Sequence, residues 1–287
     1  VATRGSPLAR WQAEHIAALL GGDVELVVVE TAGDKNTDVP IAAIGGRGVF
    51  VKEVQAAVLD GRADLAVHSA KDLQSTPTPG LVIAAVPERG DPRDALVGHA
   101  LDDLPTGGKV ATGSTRRRVQ LAARRPDLTF ADLRGNIGTR LAKAREFDAI
   151  VVAAAALDRL GHADRAAEVL AVSVMVPQVG QGALAVECRA DDEATRTRLA
   201  AVEHDATRAA VDAERAFLAE LGGGCDLPVG AYATVGSDGI IALRALLASL
   251  DGHVVLTHHA EGPDPVAVGQ GAARYLMHDA GGASLLA

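Results

Sequence analysis

Residues 1–22 read VATRGSPLARWQAEHIAALLGG, and the order of residue types in them decides the class of fold. Val1 to Thr3 has strand character, and Arg4-Gly5-Ser6 turns the chain. Ser6 is a good helix cap, because its hydroxyl accepts a first-turn N–H, and Pro7 suits the first helical position, where no donor is needed. Leu8, Trp11, His15 and Leu19 recur at helical spacing and predict the buried stripe, which Gly21-Gly22 ends. A strand running through a turn into an amphipathic helix is the building unit of an α/β layer.

The unit recurs along the chain. Phe50, Val54 and Ala57 mark a helix stopped near Asp60-Gly61, and Asp64 to His68 is a strand running into Ser69-Ala70-Lys71-Asp72. Lys109 to Thr112 predicts another strand, with Ser114 capping a helix through Arg124. Leu128 to Leu133 leads into Arg134-Gly135-Asn136 and a helix from about Gly138 to Glu146. Ala149 to Ala154 is all apolar, as in a parallel strand buried on both faces. Such sheets place their sites at the carboxyl ends of strands.

Beyond residue 205 the pattern changes to a helix over Val211 to Leu221, three glycines, and three strand-like runs. Asp238-Gly239 and Asp251-Gly252 are hairpin signals between those runs, and a last helix spans Pro265 to Asp279. This predicts a small α+β domain with an antiparallel sheet. Pro87 to Pro92 and Pro177 to Gly182 are the expected hinges between the two larger domains.

Composition excludes several classes. Charged residues make up 23% and aromatics 2%, and the formal net charge is -9, which disfavours nucleic-acid and anionic-membrane surfaces. No apolar run reaches the ~18 residues of a spanning helix. No charged-then-apolar export signal opens the sequence, so a cytoplasmic location is expected. Cys188 and Cys225 are too few for a disulfide framework, and the adjacent His258 and His259 are poor metal co-ligands, so no metal is expected.

The arginines are the informative anomaly. The amino end of a helix carries partial positive charge, yet Arg116, Arg117 and Arg118 occupy one first turn and Arg140 another. Arg4 and Arg134 sit at strand ends beside similar turns. Taken singly, each is an ordinary solvated arginine; repetition at four junctions points to one crevice and a ligand with several carboxylates or phosphates. Lys71-Asp72 adds an acid able to stabilise a cation formed on such a ligand. Cys225 follows Gly222-Gly223-Gly224, an open loop suited to a reactive thiol or an attachment point, whereas Cys188 reads as a small buried strand residue.

At these residues the chain resembles the porphobilinogen deaminase (hydroxymethylbilane synthase) family over nearly its whole length. The resemblance rests on Val1 to Ala9, Ala66 to Asp72, Asp91-Pro-Arg-Asp94, Leu133 to Leu141, Gly180-Gln-Gly-Ala183 and Gly223-Gly-Cys225, in the family's order. It implies two α/β domains similar to each other and to periplasmic binding proteins, followed by an α+β domain with a three-stranded antiparallel sheet. The expected boundaries are 1–87 with 183–200, 93–176, and 205–287. It also implies a monomeric transferase that adds four porphobilinogen molecules, each losing ammonia, to a dipyrromethane cofactor held through Cys225, and then releases hydroxymethylbilane by hydrolysis.

By the same resemblance Asp72 and Lys71 are catalytic. Arg4, Ser6, Lys71, Asp72, Thr112, Ser114, Arg116, Arg117, Arg134, Gly135, Arg140 and Gln181 bind the cofactor, and Arg4, Ser6, Arg134, Arg140 and Arg159 bind substrate. Gly113 departs from the family's usual serine, Gln74 from its proline, and Arg47, in a loop over about Val39 to Val49, from its lysine. A non-catalytic anion receptor of the periplasmic type is the competing class. It accounts for the arginines, but not for the cysteine loop or for an aspartate among cations.

Overall fold

The Ser6 hydroxyl accepts the Ala9 N–H at 3.3 Å, so α1 (Pro7–Leu20) starts where the turn after β1 (Ala2–Arg4) ends. The computed structural model describes residues 1–31, 51–223 and 227–285. Arg47 with its loop, Phe50 and Cys225 lie outside the described residues. The chain forms two compact units, Val1–Gly90 with Ala183–Arg208, and Asp91–Gly182 with Ala209–Ala287.

In the first unit β1 and α1 are followed by β2 (Val27–Val29), α2 (Lys52–Leu59), β3 (Leu65–Ser69) and β4 (Leu81–Ala85). The second unit contains β5 (Asp94–Gly98), β6 (Lys109–Ala111), α3 (Thr115–Arg124), β7 (Thr129–Ala131), α4 (Ile137–Lys143), β8 (Ala149–Ala153), α5 (Ala154–Arg159) and β9 (Glu168–Val169). The chain then returns to the first unit with β10 (Leu184–Arg189) and α6 (Glu193–Leu199). It ends with α7 (Asp205–Glu220), β11 (Val229–Val235), β12 (Ile241–Ala248), β13 (Val255–Gly262) and α8 (Pro265–Arg274).

The first sheet has the order β2-β1-β3-β10-β4, in which only β10 runs against its neighbours. Alternate β3 residues feed two cores: Leu65 and Val67 pack with Ala13 and Ile16 of α1, and Ala66 packs with Val54 and Ala57 of α2. The buried stripe of α1 differs from the expected one. Ala9, Gln12, Ala13 and Ile16 are buried, whereas Leu19 is 51% exposed and Trp11 stacks on His15 at 4.9 Å. Small residues at positions 9 and 13 let the helix lie close to the sheet, and this row wins over the bulkier one.

The second sheet has the order β7-β6-β8-β5-β9, again with one antiparallel strand, β5, between β8 and β9. Matching β6, β7, β8 and β9 to β1, β2, β3 and β4, and β5 to β10, makes the two sheets the same arrangement. Both are thus mixed, because one strand of each comes from beside a crossing between the units. The third sheet, β11-β12-β13, is antiparallel, and α7 and α8 cover it through Ala213, Phe217 and Ala272. The fully buried Glu214 accepts the N–H groups of Gly180 and Ala233 at 2.7 and 2.8 Å. Among the described residues no helix is long and apolar enough to cross a membrane.

Candidate functional site

In the first unit, Arg4, Ser6, Gln12, His68, Ser69 and Asp72 line one cleft at the carboxyl ends of β1 and β3. Lys71 and Asp72 share a single 3-10 turn, Ala70–Asp72, directly after β3, and both are half-buried. The Ala70 N–H donates to the Ala183 carbonyl at 3.0 Å, and Gln12 Nε2 donates to Ser69 Oγ at 2.8 Å. Backbone and side chain together hold the turn that carries the acid. His68, behind it, is buried and lies 3.1 Å from Glu187 Oε2, which also accepts Gln55 Nε2 at 2.8 Å.

In the second unit the expected residues gather at two junctions beside neighbouring parallel strands. After β6, the Thr112 hydroxyl accepts the Ser114 N–H at 3.2 Å, and Ser114 Oγ faces the Arg117 N–H at 3.5 Å as the cap of α3. After β7, Asn136 caps α4 by accepting the Thr139 N–H at 2.9 Å. Gly135 takes φ 106, and a Cβ there would stand 2.8 Å from that of Thr139. Arg140 folds back so that its Nε donates to the Gly135 carbonyl at 2.8 Å, and Arg134 is half-buried beside it. Gly113 brings the first junction against the second: a Cβ at this position would sit 3.0 Å from the Leu133 carbonyl oxygen.

Arg116 and Arg117 are buried, 3% and 6% exposed, and are not the open surface groups that a first-turn position suggests. Both reach Asp94, which is fully buried at the start of β5. Arg116 Nη1 lies 2.8 Å from Asp94 Oδ2, and Arg117 Nη2 lies 2.7 Å from Oδ1. Burial by itself would raise the Asp94 pKa, but the two guanidinium groups outweigh it and hold the carboxyl well below the usual carboxylate range. Gln181 joins the cluster, donating to Asp94 Oδ1 at 2.9 Å and to the Pro92 carbonyl at 2.7 Å. Arg159 ends α5 and donates to the Gly182 carbonyl at 2.6 Å; burial, opposed by Asp158, lowers its pKa.

Two acids were missed by the sequence reading, Asp94 and Glu187. Asp94 stood within a quoted motif, and the one available signal was an acid opening an otherwise apolar run, Ala95 to Val97. Cys188 is fully buried on β10, where burial pushes its thiol pKa up, in keeping with a packing role. Among the described residues no cluster of His, Cys, Asp and Glu could hold a metal ion. A larger cleft of about 570 Å³ beside β13 and α8, lined by His258, Glu261, Asp264 and Arg274, contains none of the expected site residues.

Residues 1–197 match the family model "Porphobilinogen deaminase, dipyromethane cofactor binding domain", and residues 208–278 match "Porphobilinogen deaminase, C-terminal domain". The chain is 49% identical to the porphobilinogen deaminase of Chromobacterium violaceum, over 100% of this chain and 96% of that one. It is 45% identical to the Brevibacillus brevis enzyme of the same name, covering 98% and 94%. With the Nitratidesulfovibrio vulgaris enzyme it shares 48% identity, covering 91% and 86%. Among solved structures, the VFT2 domain of Bordetella pertussis BvgS aligns with 67% of this chain and 76% of its own at 20% identity and a TM-score of 0.39. Matched by both family models and by relatives along nearly its full length, the chain is a member of the porphobilinogen deaminase family.

Proposed function

We propose that the chain condenses four porphobilinogen molecules head to tail on a dipyrromethane primer attached through Cys225, and releases the linear tetrapyrrole by hydrolysis. The observation that carries this reading is an acid in one cleft with a guanidinium: Asp72 lines the same cleft as Arg4. An anion receptor has no use for that carboxylate, whereas an enzyme that creates a cation does.

The residues present suit a polycarboxylate pyrrole chain. Arg116 is buried, and its Nε and Nη2 have no hydrogen-bond partner among the described residues, which leaves one carboxylate-binding edge unfilled. When bound, dipyrromethane supplies the nucleophilic pyrrole α-carbon. Arg4, Ser6, Lys71, Thr112, Ser114, Arg116, Arg134, Gly135, Arg140 and Gln181 hold its acetates and propionates, and Arg4, Ser6, Arg134, Arg140 and Arg159 hold those of the incoming substrate. In each addition the aminomethyl C–N bond of porphobilinogen breaks and ammonia leaves. The substrate carbon left cationic would be the electrophile, and the bound primer would supply the nucleophilic α-carbon, exchanging its proton for the new C–C bond. Asp72, fixed at the end of β3, stabilises the positive charge as it develops, where a preorganised group acts most strongly. A monomeric cytoplasmic enzyme of three domains, divided as expected above, accompanies this reading.

Intact mass and turnover test it. Purified protein should consume porphobilinogen and be heavier than its sequence by two pyrrole units, whereas Cys225→Ser should be folded, unmodified and inactive. Cys188→Ser should keep both mass and turnover. Active wild-type protein without the added mass, or with it on Cys188, overturns the assignment of Cys225.

A further inference from the structure

We infer that Asp94 is a positioning residue that divides the work of two adjacent arginines, holding Arg117 as its permanent partner and aiming Arg116 at a carboxylate of the ligand. The inference rests on the reading that this unit binds a polycarboxylate pyrrole chain, and it separates two residues to which the resemblance assigns one role.

The hydrogen-bond inventory of the two guanidinium groups is unequal. In Arg117 every nitrogen is engaged: Nε donates to Asp94 Oδ1 at 2.9 Å, Nη2 lies 2.7 Å from the same oxygen, and Nη1 donates to the Val151 carbonyl at 3.0 Å. In Arg116 only Nη1 is engaged, with the Val176 carbonyl at 2.6 Å and Asp94 Oδ2 at 2.8 Å. Its Nε and Nη2, the side-on edge that grips a carboxylate with two parallel bonds, are buried and without a partner. Charge points the same way. Two guanidinium cations share one carboxylate in a site where all three side chains are at most 7% exposed, and a second carboxylate delivered to Arg116 balances the trio. Asp94 therefore sets the direction of the buried, unpaired edge without touching the ligand. Gln181, bound to the same Oδ1, fixes the carboxylate in turn.

The test compares two charge-balanced double variants, Asp94→Asn with Arg117→Gln and Asp94→Asn with Arg116→Gln. Each loses one anion and one cation, so both should be more resistant to urea than Asp94→Asn alone. The first should retain the dipyrromethane mass and exceed the second in kcat/KM for porphobilinogen by about ten- to a hundredfold, the effect of deleting one charged hydrogen-bond pair. Equal pyrrole occupancy and equal kcat/KM in the two doubles would show that Asp94 is only structural. Higher occupancy in the Arg116→Gln double would assign the clamp to Arg117. If neither double folds, Arg116→Lys and Arg117→Lys, which keep the charge, decide the question: the larger loss of occupancy must fall on Arg116→Lys. Wild-type protein lacking both the pyrrole mass and turnover would defeat the functional reading itself, whereas wild type with both and indistinguishable variants defeats only this inference.

Discussion

The two five-stranded sheets share one strand order, and each buries one acid on its antiparallel strand, but the acids have opposite surroundings. Glu187 on β10 meets an amide and an imidazole, Gln55 and His68, beside the cleft that holds Asp72. Asp94 on β5 meets two guanidinium groups. The capped turn after the first strand is likewise common to both, Ser6 in one and Ser114 in the other, but the arginine precedes the cap in the first sheet and follows it in the second. One scaffold thus carries two polar arrangements, and the difference lies in what partners the acid that the antiparallel strand buries. Beside the mild pair lies the cleft with Asp72 and Arg4, and beside the strong ion pair lie the capped turns that carry Arg134 and Arg140.

If that contrast is real, deleting the two acids must have unequal consequences. Asp94→Ala leaves two cations buried without a counter-charge and should cost about 3–5 kcal/mol in urea-unfolding stability. Glu187→Gln keeps an acceptor for Gln55 and should cost about 1 kcal/mol. Equal losses would erase the distinction. Acid titration sharpens it. The Asp94 pKa is depressed in the folded protein, so its stabilisation is complete above the ordinary value of 3.8 and is lost as pH falls below it. Below that pH the wild-type curve should be steeper than that of Asp94→Ala, by at most about 1.4 kcal/mol per pH unit.

The proposed function bears on the comparison at Asp72. Asp72→Asn should keep the fold and the pyrrole mass yet lose about 10²–10³ in kcat, because the charge acts on a developing cation. Near-normal turnover in that variant would make the acid of the first sheet structural. The smallest expected effect belongs to Gly113→Ser, which adds a hydroxyl beside Ser114 but presses a Cβ on the Leu133 carbonyl. A loss of about 1 kcal/mol or less in thermal stability, with the pyrrole mass retained, is expected. A larger loss would mean that the two arginine junctions cannot separate even slightly.

Local signals were legible where one short segment carried the whole pattern. Ser114 and the helix through Arg124 stand where the capping chemistry placed them, and the hairpin signals at Asp238-Gly239 and Asp251-Gly252 separate the strands of the third sheet. The sequence reading missed what depends on distant partners. β2 and β9 have 3 and 2 residues, too short for a period to register. The antiparallel sense of β10 and β5 is decided by where the chain crosses between units, which no residue within either strand encodes. The stripe on α1 was misread because Leu8 and Leu19 outweigh Ala9 and Ala13 in hydrophobicity but not in closeness of approach. Asp94 was passed over because its partner Arg117 lies 23 residues along the chain. The first-turn arginines were conspicuous, but their burial was not, since nothing local distinguishes a solvated guanidinium from one folded under a sheet.

The position of β10 has a consequence for how the chain is made. This strand sits inside the first sheet, between β3 and β4, yet its residues, Leu184–Arg189, are translated after the whole of Asp91–Gly182. A growing chain therefore exposes β3 and β4 as two open edges for about a hundred residues of synthesis, the condition in which strand edges seek wrong partners. The second sheet, with all its strands between Asp94 and Val169, has every member available before the first sheet has its fifth. The first unit thus completes its sheet only after the intervening segment Asp91–Gly182 has been made, and a fragment ending before Leu184 leaves the sheet that carries Asp72 without an interior strand.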